Sequence, residues 1–349
     1  MVIAFANAIG GSMPACEALS DAGVLLAEPC LEFGDTAAVQ VCGGFVVLPW
    51  RGPWLRAQAA GLAAAPDAEA VAAGAYRQAV VHLQKGRAAT MADVARAWEL
   101  LPLGGRLLIC GDNDLGIATF VKRLGDSLGD AGEVVANRGH GRIVVFIRSE
   151  KPLPSEAVDQ AVPLLPNELR EPGMDAQLLV SPGVFSAGSL DEGTAALINC
   201  LALQPPPERV IDLGCGAGHL GIAALVRWPR CTVVFADHDR RAVRCVRANL
   251  ERLGLSERAT VVWWDAEEPA PASGCDLALV NPPFHDGTAV DLSPAKAMFR
   301  AVDEALGRDG RALVVANRTL PYERDLEPLG RVKLARQDSR FKVIEVARG

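Results

Sequence analysis

Short, mostly apolar segments alternate with longer amphipathic segments along most of this chain. The segments 209–213 and 276–280 are bounded by glycine, proline or polar residues and predict buried strands. The segment 240–253 has apolar residues at three- and four-residue spacing and predicts a helix. Because strands that alternate with helices build mostly parallel sheets, the pattern predicts an α/β fold with a doubly wound sheet.

The predicted elements are clearest in the second half of the chain. There the pattern predicts helices over 191–203, 220–227, 240–253 and 293–307, and strands over 209–213, 231–236, 259–264, 276–280, 311–316 and 341–346. In the first half it predicts helices over 92–101 and from Ile117, and strands over 45–48, 106–110, 132–136 and 141–147.

Residues 151–174 interrupt this alternation with five prolines, at positions 152, 154, 163, 166 and 172. Proline fixes φ and removes a backbone donor, so the segment is expected to be neither a long helix nor a central strand. We interpret it as a linker between a domain over 1–150 and a domain over 175–349. A length of 349 residues suits two domains.

The two predicted domains share short sequence patterns. Residues 115–118 recur as 220–223, and residues 141–145 resemble 340–344. These patterns predict a duplication, with two tandem Rossmann-like domains that each carry a mostly parallel, doubly wound sheet.

Composition narrows the possible functions. The net charge is −7, with 35 basic and 42 acidic residues, which argues against coating nucleic acid through bulk charge. The segment 318–349 nevertheless carries an excess of three basic residues. No apolar run is long enough to span a membrane. The nine cysteines contain no C-x-x-C pair, so we expect free thiols in a reducing cytoplasm and neither disulfides nor a metal site.

A glycine-rich loop follows the strand predicted over 209–213. Its sequence, 212–218, is D-x-G-x-G-x-G, and the absence of Cβ atoms lets a ligand approach the backbone closely. Asp237 ends the next predicted strand, where an acid can bind ribose hydroxyls, and Asp265 follows the third, where it can accept from an adenine amine. Each aspartate alone could also cap a turn or helix. Together with the loop they suit S-adenosylmethionine.

The fourth predicted strand ends in Asn-Pro-Pro-Phe at 281–284. The Asn281 side-chain oxygen and the Pro282 carbonyl can accept hydrogen bonds from one amino group, and Phe284 offers a face for a planar base. Pro283 completes a stiff corner. An exocyclic amine is a poor nucleophile, and two acceptors can orient it for in-line methyl transfer without a strong base or a metal. The alternative is a tight turn between strand and helix.

These motifs give the chain a specific resemblance. Residues 212–218 with 281–284 resemble class I methyltransferases that act on amino nitrogens. Further segments, at 183–186, 190–193, 284–287, 315–318, 320–322 and 340–343, are similar to bacterial ribosomal RNA guanine-N2 methyltransferases of the small-subunit type. The resemblance implies S-adenosylmethionine as cofactor and 16S ribosomal RNA or the small ribosomal subunit as substrate. It also implies a cytoplasmic location and an N-terminal domain that is degenerate and has lost cofactor binding.

The site residues implied by this resemblance fall into three groups. The catalytic group is Asn281, Pro282, Pro283 and Phe284; the cofactor group is Asp212, Gly214, Cys215, Gly216, Gly218, Asp237, Asp265 and Ala266; the substrate group is Phe185, His285, Arg318, Arg340 and Lys342. We expect Arg318, Arg340 and Lys342 to form a basic rim beside the corner. In the first domain, we interpret residues 111–116 as the degenerate counterpart of the glycine loop, because they lack alternating glycines. We expect a monomer.

Other functions share some of these motifs. Protein glutamine N5-methyltransferases and DNA adenine-N6 enzymes also use an Asn-Pro-Pro-aromatic corner. A sister family that methylates guanine N2 in 23S ribosomal RNA shares the catalytic motifs. A non-catalytic RNA-binding protein that has kept the fold is a further alternative.

Overall fold

The computed structural model describes residues 28–153, 159–166, 169, 176–186, 188–283 and 292–349. The chain divides into two compact units, residues 1–158 and 159–349. The division falls inside the proline-rich segment 151–174. No helix in the described ranges combines the length and the apolar character needed to cross a membrane.

The first unit contains one large mixed sheet and its helices. Its strands are β1 (Cys30–Phe33), β2 (Gly44–Val47), β3 (Ala64–Ala65), β4 (Gln78–His82), β5 (Arg106–Asp112), β6 (Glu133–Arg138) and β7 (Gly141–Ile147). Its helices are α1 (Ala37–Cys42), α2 (Arg51–Ala59), α3 (Arg87–Leu100) and α4 (Ile117–Leu128).

The second unit begins with a small antiparallel pair, β8 (Gln160–Pro163) and β9 (Gln177–Val180). Its large sheet contains β10 (Arg209–Leu213), β11 (Thr232–Asp237), β12 (Ala259–Trp263), β13 (Cys275–Val280), β14 (Leu306–Asn317), β15 (Arg331–Gln337) and β16 (Phe341–Ala347). The helices are α5 (Glu192–Leu201), α6 (His219–Arg227), α7 (Arg240–Arg252), α8 (Ser293–Ala305) and α9 (Tyr322–Leu326), with 3-10 turns at Ser256–Arg258 and Glu327–Leu329.

The two large sheets have the same topology. The strand order is β3-β2-β1-β4-β5-β7-β6 in the first unit and β12-β11-β10-β13-β14-β16-β15 in the second. In each sheet the strand next to the edge, β7 or β16, runs antiparallel to both its neighbours, and the other pairs are parallel. The predicted tandem Rossmann-like folds are therefore confirmed.

Both faces of the interior strands of the second sheet are buried, as a doubly wound sheet requires. Alternate residues such as Val210 and Leu277 pack on one face with α5 and α6. Their neighbours Ile211 and Ala278 pack on the other face with α8. This double burial explains why β10 and β13 are read as mostly apolar segments in the sequence.

The structure corrects the proposed position of the degenerate loop. Residues 111 and 112 end β5, the fifth strand in the order of the sheet, and 113–116 follow it, so this segment does not follow the strand that corresponds to β10. The counterpart of β10 is β1, so the loop's counterpart is residues 34–36. Residues 115–118 and 220–223 both lie at the start of a helix, but these helices follow strands at different positions in the two sheets. Residues 141–145 and 340–344, in contrast, lie on or directly before equivalent strands, β7 and β16.

A buried carboxylate explains why the sequence did not reveal β1. Glu32 interrupts the apolar pattern of this strand, yet it is fully buried. Its Oε2 accepts a hydrogen bond of 2.8 Å from the Val39 N–H, the third residue of α1. Asp212 of β10 accepts a hydrogen bond of the same length from the Gly221 N–H, the third residue of α6. The duplication thus extends to the hydrogen bond that joins the first strand to the following helix.

Gly221 lies where α6 contacts β11 and allows the helix backbone to lie close to Phe235. We expect a methyl group at this position to prevent that approach. A Cβ on Gly221 would lie 2.2 Å from Phe235 Cε1, and Phe235 is fully buried. We therefore expect Gly221→Ala to lower the free energy of unfolding by about 1–3 kcal/mol, despite the better helix propensity of alanine. Urea denaturation measures this change.

The matched control is Gly307→Ala. A Cβ at this position would lie 3.5 Å from its nearest neighbours, which is an ordinary contact. Equal stability losses in the two variants would show that the Phe235 contact is not the cause.

Candidate active site

The glycine loop lies between β10 and α6, at the carboxyl end of an interior strand of the sheet. Its three glycines have positive φ values, 69° at Gly214, 54° at Gly216 and 94° at Gly218. A Cβ on Gly216 would meet no atom within 4 Å, so this part of the loop borders open space. The loop therefore has the left-handed backbone that glycine permits, and it leaves room beside the backbone for a ligand.

Asp237, at the end of β11, holds the loop in place. Its Oδ2 accepts a hydrogen bond of 2.8 Å from the Gly216 N–H, and its Oδ1 accepts one of 2.8 Å from the Asp239 N–H. Each carboxylate oxygen retains capacity for a further donor, as ribose binding would require.

The resemblance places Asp212 in the cofactor group, but the side chain is buried away from the pocket. Its carboxyl group is fully buried, with Oδ2 on the Gly221 N–H and no hydrogen-bond partner for Oδ1 among the described residues. The pKa of Asp212 is raised to about 7, mainly by burial and also by the negative charge of Asp237, while the hydrogen bond from the Gly221 N–H acts in the opposite direction. The side chain therefore joins the loop to α6 and is not among the residues that line the pocket.

Asp265 and Ala266 follow β12, on the far side of β11 from β10. Both are half-buried, and the Asp265 Oδ1 accepts a hydrogen bond from the Glu267 N–H. The capping role that the sequence left open for Asp265 is thus present, at the strand end where an adenine contact was predicted.

At the corner after β13, two hydrogen bonds hold the side-chain amide of Asn281. The Asn281 Nδ2 donates to Asp191 Oδ2 at 3.1 Å and to Thr194 Oγ1 at 2.9 Å. Pro282 is buried and Pro283 is exposed. Phe284 and His285 lie outside the described residues.

One pocket joins the loop and the corner. It is lined by Phe185, Ser186, Thr194, Gly214, Cys215, Gly216, Ala217, His219, Leu220 and Asn281. Phe185 is exposed, with 57% of its surface accessible. The structure therefore brings together predicted residues from all three groups: the Asn281 corner, the glycine loop and Phe185.

His219 belongs to this pocket and was not identified from the sequence. It is buried, and its Nε2 has no hydrogen-bond partner within the described part of the chain. Burial lowers the pKa of His219 to about 4, so the imidazole is neutral at pH 7. An unpaired buried nitrogen in a pocket wall is a natural contact for a polar ligand.

Asp191 and Thr194 were missed as well. The signal for them was the pattern Asp-x-x-Thr before an apolar segment, which is typical of a helix N-cap. For His219 the signal was a polar residue directly after the third glycine, followed by apolar residues.

The predicted basic rim is only partly present. Arg318 is exposed, and Arg340 is exposed and paired with Glu192 at 2.6 Å. Lys342, however, is buried, and its Nζ lies 2.6 Å from a Glu323 oxygen. The prediction that Lys342 contributes to an exposed rim is therefore wrong. A buried ammonium group is costly unless it has a partner of opposite charge. The fold places Glu323 beside Lys342, and this partner allows the side chain to be buried.

Comparisons with known proteins show that this chain is similar to methyltransferases. Residues 175–345 match the family model of the methyltransferase small domain. The ribosomal RNA small subunit methyltransferase C of Pseudomonas aeruginosa (strain LESB58) is 33% identical over 264 residues, covering 73% of this chain and 75% of that protein. The ribosomal RNA large subunit methyltransferase G of Magnetococcus marinus is 36% identical, covering 49% of this chain and 46% of that protein.

A solved structure resembles the whole described fold. It is a T. thermophilus 16S rRNA N2-guanine methyltransferase in complex with AdoMet (S-adenosylmethionine) and guanosine. The TM-score is 0.81 at 26% identity, covering 94% of this chain and 91% of that chain. The chain spans only about half the length of several other ribosomal RNA small subunit methyltransferases C that it matches.

The buried Asp212 carboxyl predicts a pH-dependent stability difference. Its folded-state pKa of about 7 lies above its ordinary value of 3.8, so its contribution is complete below pH 4 and is lost as the pH rises through 7. Relative to the native protein, Asp212→Asn should therefore gain stability between pH 4 and 7, by about 4 kcal/mol, and the difference should level off above pH 7. Urea denaturation of both proteins from pH 5 to 8 measures the difference. A difference that stays constant with pH would contradict the buried carboxyl as its source.

Proposed function

Because this chain belongs to the ribosomal RNA small subunit methyltransferase C family, we propose that it methylates the N2 amine of a guanine in 16S ribosomal RNA. S-adenosylmethionine is the proposed methyl donor. The observation that carries the proposal is the single pocket in which the Asn281 corner faces the glycine loop. The T. thermophilus structure of the same overall fold, bound to AdoMet and guanosine, supports this choice of donor and base.

The residues of the pocket, together with Asp237 behind the glycine loop, fit S-adenosylmethionine. Gly216 borders open space, Asp237 keeps acceptor capacity at the ribose position, and the unpaired His219 Nε2 offers a hydrogen bond to a polar part of the ligand. When bound, this cofactor supplies a methyl group on a sulfonium. We propose that Gly214, Cys215, Gly216 and Gly218 hold it through the backbone, with Asp265 and Ala266 near the adenine.

The proposed role of Asn281 is to orient the acceptor amine. With its Nδ2 bonded to Asp191 and Thr194, the side chain can present Oδ1 to an amino hydrogen, and the Pro282 carbonyl can accept the second one. Holding both hydrogens favours nitrogen lone-pair density directed toward the methyl group. Pro283 stiffens the corner, and Phe284 and Phe185 are proposed to stack on the base. Because His219 is neutral at pH 7, it adds no positive charge to the pocket in which the sulfonium would bind.

We propose that the first unit does not bind the cofactor. The loop at 34–36 is two residues shorter than the loop at 214–218. A Cβ on Gly34 would lie 3.6 Å from His82 and 3.9 Å from the Trp50 ring. His82 holds the strand-end position that corresponds to Asn281, and its Nε2 lies 2.7 Å from the Glu32 Oε1. Two large side chains therefore border the space that a cofactor would need.

The proposed partner is 16S ribosomal RNA, free or within the small ribosomal subunit, and the proposed location is the cytoplasm, where that RNA is assembled. Arg318 and Arg340 are exposed beside the site and suit phosphate contacts, and His285 is proposed to contact the substrate. We propose that a monomer is sufficient, because all pocket residues named here come from one unit.

The second candidate is guanine-N2 methylation of 23S ribosomal RNA. The 36% identity to a large subunit methyltransferase G favours keeping it. The longer match to the P. aeruginosa small subunit enzyme favours 16S ribosomal RNA.

Replacing the corner asparagine separates catalysis from cofactor binding. We expect Asn281→Ala to lower kcat by about 10²- to 10³-fold, because the amine loses an oriented acceptor in the transition state. The Kd of S-adenosylmethionine, measured by calorimetry, should change by less than about threefold, since glycine-loop contacts dominate that affinity. Turnover that survives the substitution would refute the amine-orienting role.

The identity of the substrate is tested by tritium transfer from labelled S-adenosylmethionine. The acceptors are small subunits, large subunits, naked 16S and 23S ribosomal RNA, DNA and a peptide release factor. We expect label in 16S ribosomal RNA, recovered as N2-methylguanosine by mass mapping of nucleosides. Label mainly in 23S ribosomal RNA would favour the second candidate, and label in DNA or the release factor would reject both. Cofactor binding without any transfer would indicate a non-catalytic protein.

A further inference from the structure

The amide of Asn281 is held by two side chains that the sequence did not connect to it. Its Nδ2 is 3.1 Å from Asp191 Oδ2 and 2.9 Å from Thr194 Oγ1, so there is an acceptor for each amide hydrogen. Among the described residues, no donor reaches the Asn281 Oδ1. The amide oxygen is therefore the polar atom of this side chain that remains for a substrate.

The chemistry of the partners determines this orientation of the amide. An ionised carboxylate can only accept hydrogen bonds, so Asp191 must face the NH₂ group and not the oxygen. The Thr194 hydroxyl donates its hydrogen to Asp191 Oδ2 at 3.1 Å, and its lone pairs are then available to accept from Asn281. Turning the amide over would place its oxygen against two acceptors.

A helix cap in turn holds Asp191. Asp191 is the N-cap of α5, and its Oδ2 accepts a hydrogen bond of 2.8 Å from the Thr194 N–H. The same oxygen that caps the helix thus also receives the Asn281 amide. Thr194 is buried in the first turn of this helix. The orientation of the corner is therefore coupled to a rigid element of the fold, not to a flexible loop.

We propose that Asp191 and Thr194 are positioning residues that hold Asn281 as an acceptor and so select an amino group over a carbonyl oxygen at the methylation position. The inference rests on the proposed amine methylation and adds the residues that set its specificity. A substrate amine donates to Oδ1, whereas a carbonyl oxygen at the same position faces another oxygen. With both amide hydrogens taken, Asn281 has no N–H to offer a carbonyl substrate.

Four variants separate the amide contact from the helix cap and from general stability. Thr194→Val keeps the shape and removes the hydroxyl, whereas Thr194→Ser keeps the hydroxyl. Asp191→Ser keeps a good N-cap but is too short to reach Asn281, whereas Asp191→Asn keeps both the cap and an acceptor oxygen. In each pair, the second variant is the matched control.

We expect Thr194→Val and Asp191→Ser to lower kcat about 10- to 100-fold, because the acceptor is no longer oriented. The Kd of S-adenosylmethionine and the KM for the ribosomal substrate should change by less than about threefold. Thr194→Ser and Asp191→Asn should keep kcat within about threefold of the native value. Equal activity within each pair, with the folded proteins binding cofactor normally, would overturn the proposal.

A direct readout does not depend on catalysis. The side-chain amide signals of Asn281, assigned by their absence in Asn281→Ala, should exchange slowly with solvent in nuclear magnetic resonance spectra. The exchange should be at least tenfold faster in Thr194→Val and unchanged in Thr194→Ser. Slow exchange in a protein that methylates no RNA would reject the proposed function and leave the orientation intact. Fast exchange in the native protein would reject the orientation itself.

Discussion

The hydrogen bond from the Gly216 N–H to the buried Asp237 carboxylate is the interaction on which the site depends. It joins the glycine loop to the neighbouring strand and keeps the left-handed loop open beside the pocket. Asp212 makes the corresponding connection from the first strand to the helix, through the Gly221 N–H. Backbone N–H groups in the loop and at the start of a helix need acceptors, so these two carboxylates also satisfy N–H groups that would otherwise have no partner.

The first unit repeats part of this arrangement, although we propose that it binds no cofactor. Glu32 keeps the bond to the start of α1, and the strand order is the same. The loop, however, is short, and His82 stands where the other unit has Asn281. The bond from strand to helix is therefore part of the fold, whereas the open loop and the acceptor corner belong to the chemistry.

The corner illustrates how a helix cap can set the direction of an amide. Asp191 caps α5, and the same carboxylate oxygen receives Asn281 from a strand 90 residues away along the chain. A hydrogen bond that stabilises the helix start thereby orients a group in the pocket. His219 adds a neutral, buried imidazole to the same wall, because burial lowers its pKa to about 4.

The sequence by itself determined the motifs of the site and the strands of the second large sheet, except for its polar edge strand β15. Each strand that the sequence predicted there contains a mostly apolar segment bounded by polar or turn residues. The loop and the corner follow two of these strands directly, so local patterns were sufficient to find them. They failed at β1, where Glu32 is buried because it is hydrogen-bonded to His82 and to the start of α1, and at Lys342, which is buried beside Glu323. Local sequence patterns also could not predict that Asp191 and Thr194 accept hydrogen bonds from Asn281. Only the tertiary structure decided these points, because whether a polar side chain is buried, and which way it faces, depends on partners that lie far away in the sequence.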